Sequence, residues 1–550
     1  MKLKRLTVAL TAFLVAFGTV GCTTPPKGEN DVLLLLQGWT NTPTDSQDPY
    51  KKYISDSFGL NVSLNASSDF DNACVVAFQS SNRPDIVSFP DYTTFQKYFK
   101  QSVLIDDWTP YLQYMPNFSS VIDSAQQASA KQIFSAGGKL SALWTPAEPP
   151  VWSLKIREDW LTQFRAEKSY AAAWAPTTPD MLLEFARWIK TAKNPNQAAL
   201  DVFAFTSAGG SNSLGVLGTW LPLMYGAVSV APFGFYPEGD EVKFSTTDGS
   251  YKQMLEFLRT VVQEQLIEPT WYSQQFADKH RTYQGKIAIE WLPGSVTDYT
   301  QAEFTDADGN VTQDTTDWWE TYDLPVQPGT ANTRAGNMPG PGLAGKIITV
   351  SKKAALNADK MRKICALIDA CYSRYDAETD TYARGSAYDA LRWGVGIEDG
   401  LAYADIAGAN LKYINTSSVS AGRGERYYRE KQTGAWDWGA WFSSTNDGII
   451  QGNKSEVDAI VLKVAQHNVK TANMAAKPEI GAYLQFPAAD LNEMVNEMVA
   501  FEYGYATQSG WDSSERETRY NAFIQRWRTS LKGNDFLASA AEQFRSLGLF

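Results

Sequence analysis

Continuous apolar runs and amphipathic stretches alternate along the first hundred residues, and a second alternation begins near residue 178. Val32–Gln37, VLLLLQ, is uniformly apolar and ends at Gly38-Trp39-Thr40-Asn41. Such a run bounded by turn residues predicts a strand buried on both faces. A helix is predicted over Pro49–Phe58, then an alternating strand over Asn61–Asn65 with Val62 and Leu64 inward. A helix over Phe70–Ser80 leads to a buried strand within Arg83–Phe89, and Thr93–Phe99 is again helical. Strands alternating with helices predict a mainly parallel sheet covered on both faces.

The pattern breaks between Gly137 and Leu161. A strand is predicted over Lys139–Trp144, a proline cluster follows at Pro146, Pro149 and Pro150, and a strand resumes over Val151–Ile156 before a helix opening at Arg157. Proline gives no ladder donor, so the cluster lies outside any sheet. The stretch fits a crossover between two lobes, with Trp144 and Trp152 at the mouth of a cleft. Equally, it fits an edge hairpin in one domain.

A second series starts at Thr178-Pro179-Asp180, a helix cap with proline at the first position. Leu182, Phe185, Ala186 and Ile189 make its apolar stripe. A strand over Val202–Thr206 runs into a Gly/Ser loop, a helix is predicted over Tyr251–Ile267, and Gly285–Trp291 reads as a strand. Thr305–Thr316 is an acidic, turn-rich surface excursion. Asn337–Gly345, NMPGPGLAG, is a second Pro/Gly break before a strand at Lys346–Val350 and a helix carrying Met361, Ile364, Cys365, Ile368 and Tyr372. The remainder is mostly helical. Stripes such as Leu491, Met494, Val495 and Met498 read as core.

The chain has 550 residues, 44% of them hydrophobic and 20% charged, enough for two or more globular domains. Aromatic residues reach 13%, with 18 Trp and 26 Tyr, which suits either a large aromatic core or sugar-binding surfaces. The formal charge is −12, and losing Lys2, Lys4 and Arg5 with a signal takes it to about −15, the wrong sign for a nucleic-acid binder.

Met1–Arg5 is basic and Leu6–Phe17 is an apolar run too short to span a bilayer, which is the pattern of a secretory signal. Gly18-Thr19-Val20-Gly21-Cys22 resembles a bacterial lipobox, although Thr19 stands where leucine is commonest. That resemblance implies residues 1–21 as signal, Cys22 as the lipidated first residue and 22–30 as a tether. Cys74, Cys365 and Cys371 are expected as buried thiols, because residues six apart on one helix lie roughly 9 Å apart along its axis. Two histidines, far apart, disfavour zinc sites and Ser-His-Asp triads. No phosphate-binding or dinucleotide glycine motif occurs.

In order and spacing, the segments resemble those of family 1 extracellular solute-binding proteins, the lipid-anchored receptors of ABC-type sugar importers. The long subgroup that includes alginate-oligosaccharide binders is nearest. The likeness is carried by Pro84-Asp85-Ile86-Val87 with Asp91-Tyr92, Leu104–Asp107, Gly138-Lys139-Leu140 through Trp160-Leu161, Pro176–Asp180, Leu266–Pro269, Gly285–Ala288, Gly345–Val350 and Gly394–Gly400. It implies an α/β, two-lobed periplasmic-binding-protein-like fold of type II, with two mixed sheets flanked by helices, a hinge and a helical C-terminal region. Residues 31–145 and 346–400 form the N-terminal lobe, and 146–345 and 401–550 the C-terminal lobe.

The subgroup often carries a calcium loop resembling D-P-N-G-N-G-x-x-D after the helix that starts near Pro179. Here Asn194–Asp201 reads NPNQAALD, without the glycines and with one acid. Calcium wants six or more oxygens, several charged, so no metal and no cofactor is expected.

Sugar recognition needs aromatic faces and planar polar groups, placed at the carboxyl ends of strands. The candidates are Trp39, Asn41, Asp91, Tyr92, Trp144, Glu148, Trp152, Trp220, Tyr225, Trp271, Tyr272, Trp291, Trp393, Glu398, Trp436, Trp438 and Trp441. For each, core packing competes with ligand contact. The leading expectation is a non-enzymatic, monomeric, membrane-anchored extracytoplasmic receptor. It would bind an oligosaccharide or related small solute between its lobes and deliver it to ABC permease subunits. The alternative is a surface-attached glycan-active hydrolase or lyase, with a pair of acids supplied by the many Asp and Glu.

Overall fold

Asp31–Gln37 forms β1, and its five central residues are buried. Helix α1 (Pro49–Phe58), β2 (Asn61–Ser67), α2 (Phe70–Gln79), β3 (Ile86–Phe89) and α3 (Tyr92–Lys100) follow as the pattern predicts. Val62 and Leu64 are buried. In this computed structural model the described residues are 28–37, 49–80, 83–145, 152–209, 214–226, 234–247, 249–275, 280–293, 319–329, 343–372 and 480–549, with short paired segments at 302–305, 311–314, 338–340, 375–376, 381–382, 412–413, 449–450 and 476–478.

Strand β4 is short (Leu143–Trp144), because the predicted strand from Lys139 divides. Lys139–Leu140 instead pairs with Ser135–Ala136 in a hairpin, and Ser141 N–H donates to Phe134 O at 2.8 Å. The second series supplies β5 (Trp152–Arg157), α4 (Glu158–Lys168), α5 (Pro179–Ala192), β6 (Phe203–Phe205), α6 (Gly249–Gln263), β7 (Ile287–Pro293) and β8 (Trp319–Tyr322). Helix α5 is capped by Thr178 Oγ1, which accepts from Met181 N at 3.3 Å. Helix α6 ends before the predicted Ile267: Gln265 takes φ 55°, and Ile267 bridges to Phe205 instead. Residues 302–305 and 311–314 pair as a hairpin where a turn-rich excursion was expected.

Returning strand β9 (Ile347–Val350) precedes α7 (Ala358–Ala370), and the chain ends in α8 (Ala488–Thr507), α9 (Ser513–Arg528) and α10 (Gly533–Ser546). The first sheet has the order β2-β1-β3-β9-β4, parallel except at β9. The second has the order β8-β5-β7-β6, with only β7 and β6 parallel. Both sheets are mixed and flanked by helices, as expected. Cys74, Cys365 and Cys371 are free and buried.

One core gathers Val32 to Trp144 with Ile347 to Tyr372. A second gathers Leu154 to Leu324 with Tyr505, Ala506 and Tyr520. A third joins Phe235 and Phe244 of a hairpin to Met494, Met498, Trp527 and Phe544. The C-terminal helices are fixed to the second sheet's side. Arg516 Nε meets Glu256 Oε1 at 2.9 Å, and Arg259 Nη1 donates to the carbonyls of Tyr505 (3.0 Å) and Gln508 (2.7 Å) that end α8. Those carbonyls lack helical partners, so the guanidinium satisfies them.

The chain leaves the first sheet at Trp144 and enters the second at Trp152. The eight Cα steps from Trp144 to Trp152 span at most about 29 Å, so these two sheet edges lie within that distance of each other. Trp144 pairs with Ile347, which pairs with Phe89, so this is also the carboxyl edge of β3. Trp152 pairs with Pro293, so on the second sheet it is the carboxyl edge of β7 and of its parallel neighbour β6.

Candidate functional site

The outgoing and returning links are bonded to each other at this junction. Thr145 N–H donates to Lys346 O at 2.9 Å, Gly345 N–H to Thr145 O at 2.8 Å, and Lys346 N–H to Thr145 Oγ1 at 2.9 Å. The C-terminal segment joins them, with Ala344 N–H donating to Tyr483 Oη at 2.9 Å. The C-terminal segment therefore reaches the same point.

A cavity of about 570 Å³ opens on this junction. One wall is Pro90–Thr93 after β3, the floor is Ala344, Gly345 and Ile347, and the other wall is Gly481–Leu484 with Phe486, Ala488, Leu491 and Asn492. Gln485 Nε2 donates across it to Thr93 Oγ1 at 3.2 Å. Tyr92 and Tyr483 meet with ring centroids 5.3 Å apart and planes tilted by 54°. Burial pushes the Tyr92 hydroxyl up to about 12 and raises that of Tyr483, so both stay protonated donors at neutral pH. Among the described lining residues Asp91 is the one acid, and its carboxylate caps α3, accepting from Thr94 N at 2.8 Å and Thr94 Oγ1 at 2.9 Å. Among the described residues the lining holds no lysine, arginine or histidine. Aromatic faces, amide, hydroxyl and backbone groups remain, a set suited to an uncharged polyhydroxyl ligand.

Of the expected site residues, Asp91 and Tyr92 line this cavity. Trp152 is half-buried at the opposing edge. Four others are corrected to core. Trp144 is fully buried, stacked 5.0 Å from Phe134, with Nε1 donating to Gln127 Oε1 at 2.9 Å. Both ring faces and its polar atom are taken. Trp220 is buried against Phe205, and Trp271 and Trp291 lie in the second core. Each ends or follows a strand as expected, but its side chain points into the sheet's packed face. Tyr225 is buried too, whereas Tyr272 is half-exposed. Trp39, Asn41, Glu148, Trp393, Glu398, Trp436, Trp438, Trp441 and Cys22 lie outside the described residues.

Tyr483, Phe486 and Asn492 are site residues the sequence reading passed over, because their region reads as core helix. The signal was Gly481-Ala482-Tyr483-Leu484-Gln485-Phe486-Pro487, two aromatics in a short turn just before a helix start.

On the opposing edge, a buried polar cluster shapes the loop after β6. Glu268 accepts from Thr206 Oγ1, Gln274 Nε2 and, at 3.2 Å, Arg281 Nη1. Gly209 N–H donates to Gln274 O at 2.9 Å. Gly215 has φ +62°, and a Cβ there would stand 2.2 Å from Ala208 O, so no other residue fits.

The Asn194–Asp201 loop does not fit calcium. Asn194 Oδ1 already accepts from Asp201 N and Val202 N, both at 3.0 Å. Gln197 Nε2 donates to the carbonyls of Lys190 (3.0 Å), Thr191 (3.1 Å) and Asn194 (2.7 Å). Asp201 pairs with Lys286 at 2.5 Å and faces Arg281 at 3.8 Å. An amide and two cations occupy the oxygens a divalent ion would need.

No family model and no curated protein matches the chain. Solved structures do. An extracellular solute-binding protein from Bifidobacterium longum subsp. infantis superposes with TM-score 0.62 at 15% identity, covering 96% of this chain and 100% of that one. The S. pneumoniae ABC-transporter substrate binding protein FusA, in complex with kestose, gives 0.57 at 13% identity, covering 94% and 99%. The alginate-binding protein AlgQ2 without calcium ion gives 0.52 at 12%, covering 93% and 97%.

Proposed function

We propose, from a fold shared with extracellular solute-binding proteins, that this chain is the receptor of an ABC-type importer and takes an uncharged oligosaccharide into the cleft between its lobes. One observation carries the reading: the aromatic cavity, with no cation among its described lining residues, sits on the junction where the connecting segments are bonded together. A ligand there touches β3's edge, the returning link and the C-terminal segment at once, so binding favours one arrangement of the lobes. The neighbour holding kestose supports a neutral glycan. An alginate-type ligand would need cations to face its carboxylates, and the described lining residues include none. An enzyme reading finds no second carboxylate among the described lining residues, since Asp91 is the acid there and is spent on a helix cap.

Lipidation at Cys22 and hand-over to a permease complete the proposal. They rest on the N-terminal pattern and on the kind of protein that shares this fold.

The test is calorimetry of the purified chain against neutral oligosaccharides (fructo-, malto- and manno-series) and uronate oligosaccharides, followed by mass spectrometry of the recovered glycan. Binding of a neutral series with the sugar recovered intact is the expected result. Cleavage of the glycan, or binding of uronates alone, overturns it.

A further inference from the structure

We propose that Tyr272 and Tyr503 form a second carbohydrate platform that holds the far end of a glycan whose near end lies in the hinge cavity. The inference rests on reading that cavity as the glycan site.

Tyr503 is 39% exposed and shares the outward stripe of α8 with Asn492, Asn496 and Ala500, while Met494, Met498, Tyr505 and Ala506 of the same helix pack into the second and third cores. Its ring centroid lies 4.2 Å from that of Tyr272, with planes tilted by 38°. Trp271 is buried behind the pair, 6.3 Å from Tyr503 and 5.4 Å from Tyr272. Two half-open tyrosines are thus backed by a fixed indole. Core packing would bury them, whereas a rigid pair of amphipathic rings with hydroxyls at the rim suits the C–H face of a sugar.

Position connects the pair to the cavity. Tyr272 lies just past Ile267, which bridges to Phe205 at the carboxyl end of β6, on the edge that faces the first sheet. Asn492 lines the cavity from the first turns of α8. Tyr503 is eleven residues further along, which is close to three whole turns, so the two share one helix face about 16 Å apart. Between them on that face stand Asn496 and Ala500, both exposed, with buried Val499 alongside. The stripe of short exposed side chains would seat a short linear oligosaccharide running from cavity to platform. The structure thereby assigns chain-length preference to α8.

The experiment titrates the full chain and its Tyr503→Ala, Tyr503→Phe and Tyr272→Ala variants with the neutral ladders above, from disaccharide to hexasaccharide. Both alanine variants are expected to weaken the longest glycans about tenfold. Binding of the shortest should stay unchanged, and Tyr503→Phe should behave as wild type for stacking. Thermal melts check that each variant is folded; Tyr503→Ala alone carries the test if Tyr272→Ala is not. Equal losses at every length, or no loss at any, overturns the platform while leaving the cavity reading intact. A wild-type chain that binds no member of any ladder overturns the cavity reading and the platform with it.

Discussion

Trp144 and Tyr92 look alike in sequence: each is an aromatic at the carboxyl end of a predicted strand. One is core and the other lines a cavity. Burial of the indole depends on Phe134, Phe118 and Gln127, partners from a helical segment whose packing the local pattern does not show. Glu502 is the opposite case, a charged residue that vanishes into the core. It is fully buried on α8, its Oε1 accepts from Tyr251 Oη at 2.5 Å, and burial pushes its carboxyl up to about 8. The carboxyl is therefore mainly protonated at neutral pH. Because the folded value lies above the unfolded one, its contribution to stability is fully present below about pH 4.5 and is lost as pH rises through 8. Glu502→Gln keeps the acceptor for Tyr251 and removes the titration. Denaturant unfolding at pH 5 and pH 9 should show the variant gaining a few kcal/mol over wild type at the higher pH only. An equal difference at both pH values would mean that Glu502 is not the titrating group.

At the scale of elements, the strands and helices of the first hundred residues were legible because each carries an unbroken period and clear punctuation. Helix α6 was overrun at its end, since Gln265's left-handed turn has no glycine to announce it. At the Asn194–Asp201 loop the expectation rests on chemistry alone: the missing glycines and acids disfavour a cation. The structure adds what replaces it. Asn194 and Gln197 donate to the Lys190 and Thr191 carbonyls in the last turn of α5, and Lys286 neutralises Asp201. Thermal melts in excess calcium and in EDTA should coincide. Asn194→Ala, which removes a buried side chain making four hydrogen bonds, should cost about 2 kcal/mol. A calcium-dependent rise in Tm would refute this account of the loop.

For the whole molecule, the two Pro/Gly breaks foretold where the chain passes from one sheet to the other, but not that the passages are tied together. Thr145, Gly345 and Lys346 bond across the links, and Tyr483 brings the C-terminal segment to the same point. Across the cavity itself, the described side chains that meet are Gln485 with Thr93 and Tyr92 with Tyr483. A ligand in the cavity adds contacts to both walls and can shift the lobes only by its differential affinity for the closed arrangement. Solution scattering should therefore show the radius of gyration falling when a bound neutral oligosaccharide saturates the protein. Gln485→Ala should raise the radius of the free chain, leave Tm unchanged, and weaken binding by less than tenfold, the scale of one exposed hydrogen bond. Saturation with no change in radius would mean that the lobes are already fixed, and the junction would then be a strut and not a hinge.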